Sequence, residues 1–125
     1  MYIVITENDE SKWDDDTGTL YHFPKRSLKY LQPGTKALYY KGKIRNKIYS
    51  IKRLSDSPHY FGVARIGKIY PDRNSSKEDY FAVIEDYRQF NAPVLAKTEK
   101  GYFETIPDNK LTNYWRDGTR PIDKV

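Results

Sequence analysis

Six short runs dense in β-branched and aromatic residues constrain this chain more than any other feature. They are YIVIT (Tyr2 to Thr6), TKALYYKGK, NKIYSIKRL, HYFGVARIGKIY, DYFAVIEDYRQF and the weaker GYFETI, and each reads as a strand. In TKALYYKGK the period of two puts Leu38 and Tyr40 on one face and Ala37 and Tyr39 on the other. HYFGVARIGKIY carries two glycines, Gly62 and Gly67, at which a strand can bulge or admit another backbone. NAPVLAK, broken by Pro93, reads as a connection. The helical pattern is early: PKRSLKYL places Leu28 and Leu31 three apart behind Pro24, and QPG closes it as a type II turn. LYHF before it reads as an approach loop.

Many strands in 125 residues leave room for one modest core and usually close on themselves to remove edges. The expected fold is α+β: one domain over residues 1–125, a small curved β-barrel of five to six strands with one or more short flanking helices. From about residue 108 the tail, with KLTNYWRDGTRPIDKV, is either the last element or a lead into a linker or a further effector domain.

Charge is distributed in blocks. Residues 1–16 carry six acids and one Lys, and residues 56–125 carry eleven acids and eleven bases. Residues 17–55 carry ten Lys or Arg and no acid, so the net excess of positive charge lies in one block. Such a block is either a phosphate-facing surface or a solvated face. Aromatics, 15% of the chain, interleave with it, and Tyr can stack on a base while offering a hydrogen bond.

Catalytic signatures are missing. Two histidines without ligand spacing and no cysteine leave no zinc or nuclease metal set. WDDDTG reads as a solvated turn, and no phosphate-cradling glycine loop or Ser/His/Asp spacing is found. The expectation is a binder with no catalytic residues, no metal and no cofactor. No run reaches the roughly 20 apolar residues of a membrane span, and MYIVITENDE lacks signal-peptide character, so a cytoplasmic location is expected.

KYLQPGTKALYYKGK, YFGVARIGKIYPD and YFAVIEDYRQFNAPV, in that order, resemble the EVE domain of the PUA-like superfamily, whose relatives include YTH, ASCH and SRA domains. Gly34, Tyr39, Tyr40, Gly62, Ala64, Tyr70, Pro71, Asp72 and Pro93 occupy the positions that carry the resemblance. YHFPKRSLKYL together with the late YWRDGTRPI looks closer still to the reader domains that precede an HNH nuclease in modification-dependent restriction endonucleases. No HNH region occurs within these residues. The resemblance therefore implies either an excised reader or one that acts with a separate nuclease domain or subunit.

The resemblance implies a PUA-like barrel that binds double-stranded DNA and receives one flipped, modified base, 5-methyl- or 5-hydroxymethylcytosine, in an aromatic pocket. An RNA-binding module of the same fold is the alternative. Carried over by position, the loop after the first strand supplies Asn8, and Tyr21, His22 and Phe23 supply the aromatic platform. The residues themselves add Trp13 as a platform or a core cover, one of Tyr39 and Tyr40 pointing into the pocket, and Asp56. A carboxylate at Asp56 can accept from the cytosine N4 amino group, or simply serve its loop. Trp115 is a candidate for closing the barrel. Lys25, Arg26, Lys41, Lys43, Arg45, Lys47, Lys52 and Arg53 are the phosphate candidates.

Overall fold

YIVIT becomes β1 (Tyr2–Thr6), and its Ile3, Val4 and Ile5 are all fully buried because both faces of the sheet at this strand are covered. The computed structural model describes residues 2–9, 16–107, 114–116 and 118–122. Around β1 it places β2 (Leu20–Phe23), β3 (Lys36–Lys41), β4 (His59–Pro71), β5 (Tyr80–Leu95) and β8 (Thr119–Ile122). The sheet order is β2-β5-β4-β3-β1-β8. β1 and β3 run parallel, and the other neighbours are antiparallel. β6 (Lys97–Thr98) and β7 (Gly101–Tyr102) form a separate small hairpin.

The sheet curls into a six-stranded half-barrel, and the bend originates in β4 and β5. Their register shifts at Tyr60/Gly62, at Val63/Arg65 and at Ile66/Ile69, so the expected disturbance around Gly62 and Gly67 is present. A Cβ at Gly62 would lie 2.8 Å from both the Arg88 carbonyl and the Tyr87 ring, which makes glycine a steric requirement there. Opposite, Asp86 adopts φ 53°, a left-handed bulge residue. The two edges approach each other: the Tyr21 hydroxyl on β2 donates to the carbonyl of Gly118, just before β8 (3.1 Å), and lies 3.2 Å from the hydroxyl of Thr119, the first residue of β8.

The concave face holds the larger core, with Ile3, Ile5, Phe23, Leu31, Tyr39 and Ile66. The convex face carries Val4, Leu38, Tyr40, Tyr60 and Ala96, with Trp115 and Phe90 packed against them. The alternation expected for Ala37/Tyr39 against Leu38/Tyr40 therefore holds. An ion pair is buried under the convex side: Arg120 donates to both carboxylate oxygens of Glu104, each at 2.9 Å, and both residues are at most 4% exposed. The hydroxyls of Tyr60 and Tyr114 also donate to this carboxylate. Burial lifts the pKa of both tyrosines.

Several expectations change. Helical structure among the described residues is limited to 3-10 turns, so the domain is mostly sheet. PKRSLKYL is a single 3-10 turn (Lys25–Ser27) followed by turns, because few residues separate β2 from the QPG turn, too few for stable helix propagation. Leu28 and Leu31 still face the core, and Gly34, at φ 90° with Thr35 N–H bonded to the Gln32 carbonyl, forms the type II turn. NKIYSIKRL is a 3-10 helix (Lys47–Lys52): Asn46 caps it by accepting from the Ile48 N–H, and neither alternating face is apolar enough to join the sheet. LYHF is strand rather than loop, NAPVL continues β5, and GYFETI contributes only Gly101–Tyr102. Thr119–Ile122 is the edge strand on β1, where Pro121 is tolerated, so this part of the tail belongs to the sheet. Among the described residues no helix is long and apolar enough to cross a membrane.

Candidate nucleic-acid interface

Strand alternation turns Tyr39 into the concave core and Tyr40 to the convex side, where it becomes part of a cleft of about 1310 Å3. The end of β1, the segment after β3 and the junction of β5 with β6 form its walls. Aromatic rings pack in a row along it: the buried Tyr40 stacks on Trp115 (centroids 5.5 Å, 24° between planes), and the exposed Tyr102 meets the same indole at 5.5 Å. Arg120 supports this pair from below, its guanidinium carbon 4.6 Å from the Tyr40 ring and 4.8 Å from Trp115. Burial, opposed by the Arg120 charge, raises the Tyr40 pKa, so its hydroxyl stays neutral.

Glu7 and Asn8 enter the cleft from β1. One Glu7 oxygen accepts from the Thr17 hydroxyl, while the other is buried without a hydrogen-bond partner among the described residues. Burial raises the Glu7 pKa despite the Thr17 bond and the Lys41 charge. Its neighbour Asp9 goes the other way: burial opposes the charge, yet Lys41 at 2.9 Å and Arg53 at 2.7 Å outweigh it and hold the carboxyl below its usual range. His59, fully buried, gives its Nδ1–H to the Ser57 carbonyl (2.7 Å), and burial lowers its pKa, so the imidazole is neutral.

The structure brings together part of the expected set. Asn8, Tyr40, Lys43, Arg45 and Arg53 line the cleft, and Lys47 and Lys52 stand exposed on the adjoining 3-10 helix. Lys41 and Arg53 are spent on Asp9, with the Arg53 side chain only 2% exposed and further bonded to the Ser55 and Gly42 carbonyls. They brace the cleft wall. Asp56 accepts from the Ser50 hydroxyl (2.7 Å) and from the Ile44 N–H through its carbonyl, which ties the ends of the same loop together.

Other candidates lie apart. Tyr21 and Phe23 share the concave face, ring on ring at 6.0 Å, and are buried in the core with Tyr39. His22 faces the opposite way, stacked on Phe81 at 4.4 Å and 3.0 Å from the Asp72 carboxylate. Lys25 pairs with Glu78, and Arg26 borders a separate cavity of about 290 Å3 with Tyr30 and Tyr114. Trp13 lies outside the described residues.

Sequence reasoning passed over Glu7, Tyr49, Lys97 and Tyr102, all of which line the cleft. Glu7 directly precedes Asn8 in the polar run after β1; Lys97 and Tyr102 reach the cleft through the β6–β7 hairpin, for which local pattern gives no signal. The aromatic lining, the cationic rim and a carboxylate oxygen without a partner among the described residues are together suited to hold a flat heterocycle with a polar edge and an attached anionic backbone. The sequence gives no significant match to any family model or to any curated protein, so the functional reading rests on this geometry and on the order of motifs.

Proposed function

We propose that the chain is an EVE-like domain of the PUA-like superfamily that reads a modified base in DNA, 5-methyl- or 5-hydroxymethylcytosine. It serves as the specificity domain of a modification-dependent restriction system whose nuclease lies in another domain or subunit. The single observation that carries this reading is the convex cleft, in which Tyr102 and Trp115 offer ring surface over the buried Tyr40, Glu7 lines the wall with one carboxylate oxygen that has no partner among the described residues, and Lys43, Arg45 and Lys97 supply positive charge.

The base leaves the duplex and enters the cleft. Extrusion costs a few kcal/mol, which stacking worth roughly 1 to 3 kcal/mol and phosphate contacts offset. Glu7 takes the base-edge role first considered for Asp56: a carboxylate accepts from the cytosine N4 amino group, and its neutral form also donates to N3. The C5 substituent adds about 1 to 3 kcal/mol of discrimination by contact with ring surfaces, so the reader is selective rather than absolute.

A binding panel tests this. Matched duplexes that are unmodified, cytosine-methylated, cytosine-hydroxymethylated and adenine-methylated, with an RNA control, are titrated at two salt concentrations. The expected result is tightest binding to a cytosine-modified duplex, by about tenfold over unmodified DNA. Equal affinity for all duplexes contradicts the reading, and tighter RNA binding replaces it with an RNA-binding module of the same architecture.

A further inference from the structure

The 3-10 helix Lys47–Lys52 presents Ile48 at 69% and Ile51 at 90% exposure, the two most exposed large apolar side chains among the described residues. In a 3-10 helix residues three apart eclipse one another, so both isoleucines project from the same side. Leaving them in water does nothing for folding, since no residue of this helix is buried. The helix is nevertheless held firmly at both ends. Asn46 caps it, Ser50 bonds to Asp56, the Ile44 N–H bonds to the Asp56 carbonyl, and Arg53 anchors the exit to Asp9.

Charge complementarity identifies the occupant. Lys43, Arg45, Lys47 and Lys52, all exposed, flank the pair in the sequence, and no acid occurs between residues 17 and 55. An acidic polymer with an apolar interior fits that surface, and the same loop forms a wall of the cleft through Arg45, Asn46 and Tyr49. We infer that Ile48 and Ile51 form a wedge that enters double-stranded DNA beside the target and fills the stack that the extruded base vacates. Apolar side chains flanked by cations are the usual means of unstacking a base step, because the cations hold the phosphates while the apolar group replaces a stacking partner. This inference deepens the base-reading proposal and rests on it.

The wedge and the reader separate experimentally. The full chain and its Ile48→Ser/Ile51→Ser double variant, altered only at exposed positions, are titrated with three probes carrying the same modified cytosine. These are an intact duplex, a duplex with an abasic site opposite the cytosine, and a single strand. A 2-aminopurine beside the target reports unstacking. The variant is expected to lose about tenfold or more affinity for the intact duplex, together with the fluorescence rise, and to match the parent chain on the two pre-opened probes. Equal losses on all three probes, or none on the intact duplex while the preference for modified cytosine persists, overturn the wedge alone. No preference for the modified base on any probe by the parent chain overturns the reader. Isoleucine-dependent binding to anionic phospholipid vesicles without duplex unstacking assigns the surface to a membrane and overturns the wedge.

Discussion

Arg120 shows what one residue contributes to this cleft. Its guanidinium is 2% exposed, pairs with both oxygens of Glu104 and lies beneath the Tyr40 and Trp115 rings. Burial alone would raise the Glu104 pKa, but the bonds and charge of Arg120 and the two tyrosine hydroxyls outweigh it and hold the carboxyl below its ordinary value of 4.5. The folded-state pKa is depressed, so the stability this contributes is present above that ordinary value and is lost as pH falls through the lowered one. Arg120→Met strands a buried carboxylate and is expected to cost about 3 to 5 kcal/mol in urea unfolding at neutral pH. The added Glu104→Gln change should recover part of that loss, whereas a single-variant cost under about 1 kcal/mol contradicts the network's role. Residue roles were legible where they follow strand alternation, as for Tyr39 and Tyr40. They were not legible for Glu104 and Arg120, which meet only through the folded chain and leave no trace in local spacing.

At the level of elements, runs with long-range partners declared themselves and runs without them misled. β1, β3, β4 and β5 follow their apolar patterns, and the disturbed register around Gly62 follows the glycine. NKIYSIKRL has a strand-like composition, but its mixed faces offer nothing to pair with, and the Asn46 cap decides for a 3-10 helix. That outcome matters for binding because it moves Lys47 and Lys52 beside the cleft rather than into the sheet. With Lys41 and Arg53 committed to Asp9, the cations available there are Lys43, Arg45, Lys47, Lys52 and Lys97. Log K against log salt is therefore expected to slope at about −4 to −5, and Lys47→Ala/Lys52→Ala to flatten it by nearly 2. Lys25→Ala/Arg26→Ala is the control, expected to leave the slope unchanged because Lys25 pairs with Glu78 and Arg26 borders the separate smaller cavity. A larger effect from the control pair contradicts this assignment of the binding face.

For the whole molecule, a half-barrel joined across its edges by Tyr21 fills its concave side with the larger core, while the convex side carries a second core cluster and the cleft. The sequence order of basic and aromatic segments pointed to the second quarter of the chain, and residues from that quarter do line the cleft. It did not anticipate that the concave face would absorb Tyr21, Phe23 and Tyr39, or that the β6–β7 hairpin would supply the opposite wall. Global closure made those assignments: a ring that the curled sheet encloses becomes core, whatever its local composition suggests. The most direct measurement is a crystal structure of the chain with a duplex that contains one 5-methylcytosine. The expected result is that cytosine outside the helix, stacked against Tyr102 and Trp115, with its N4 edge on Glu7. A bound duplex with every base stacked, or the base in the cavity lined by Arg26 and Tyr114, would contradict it.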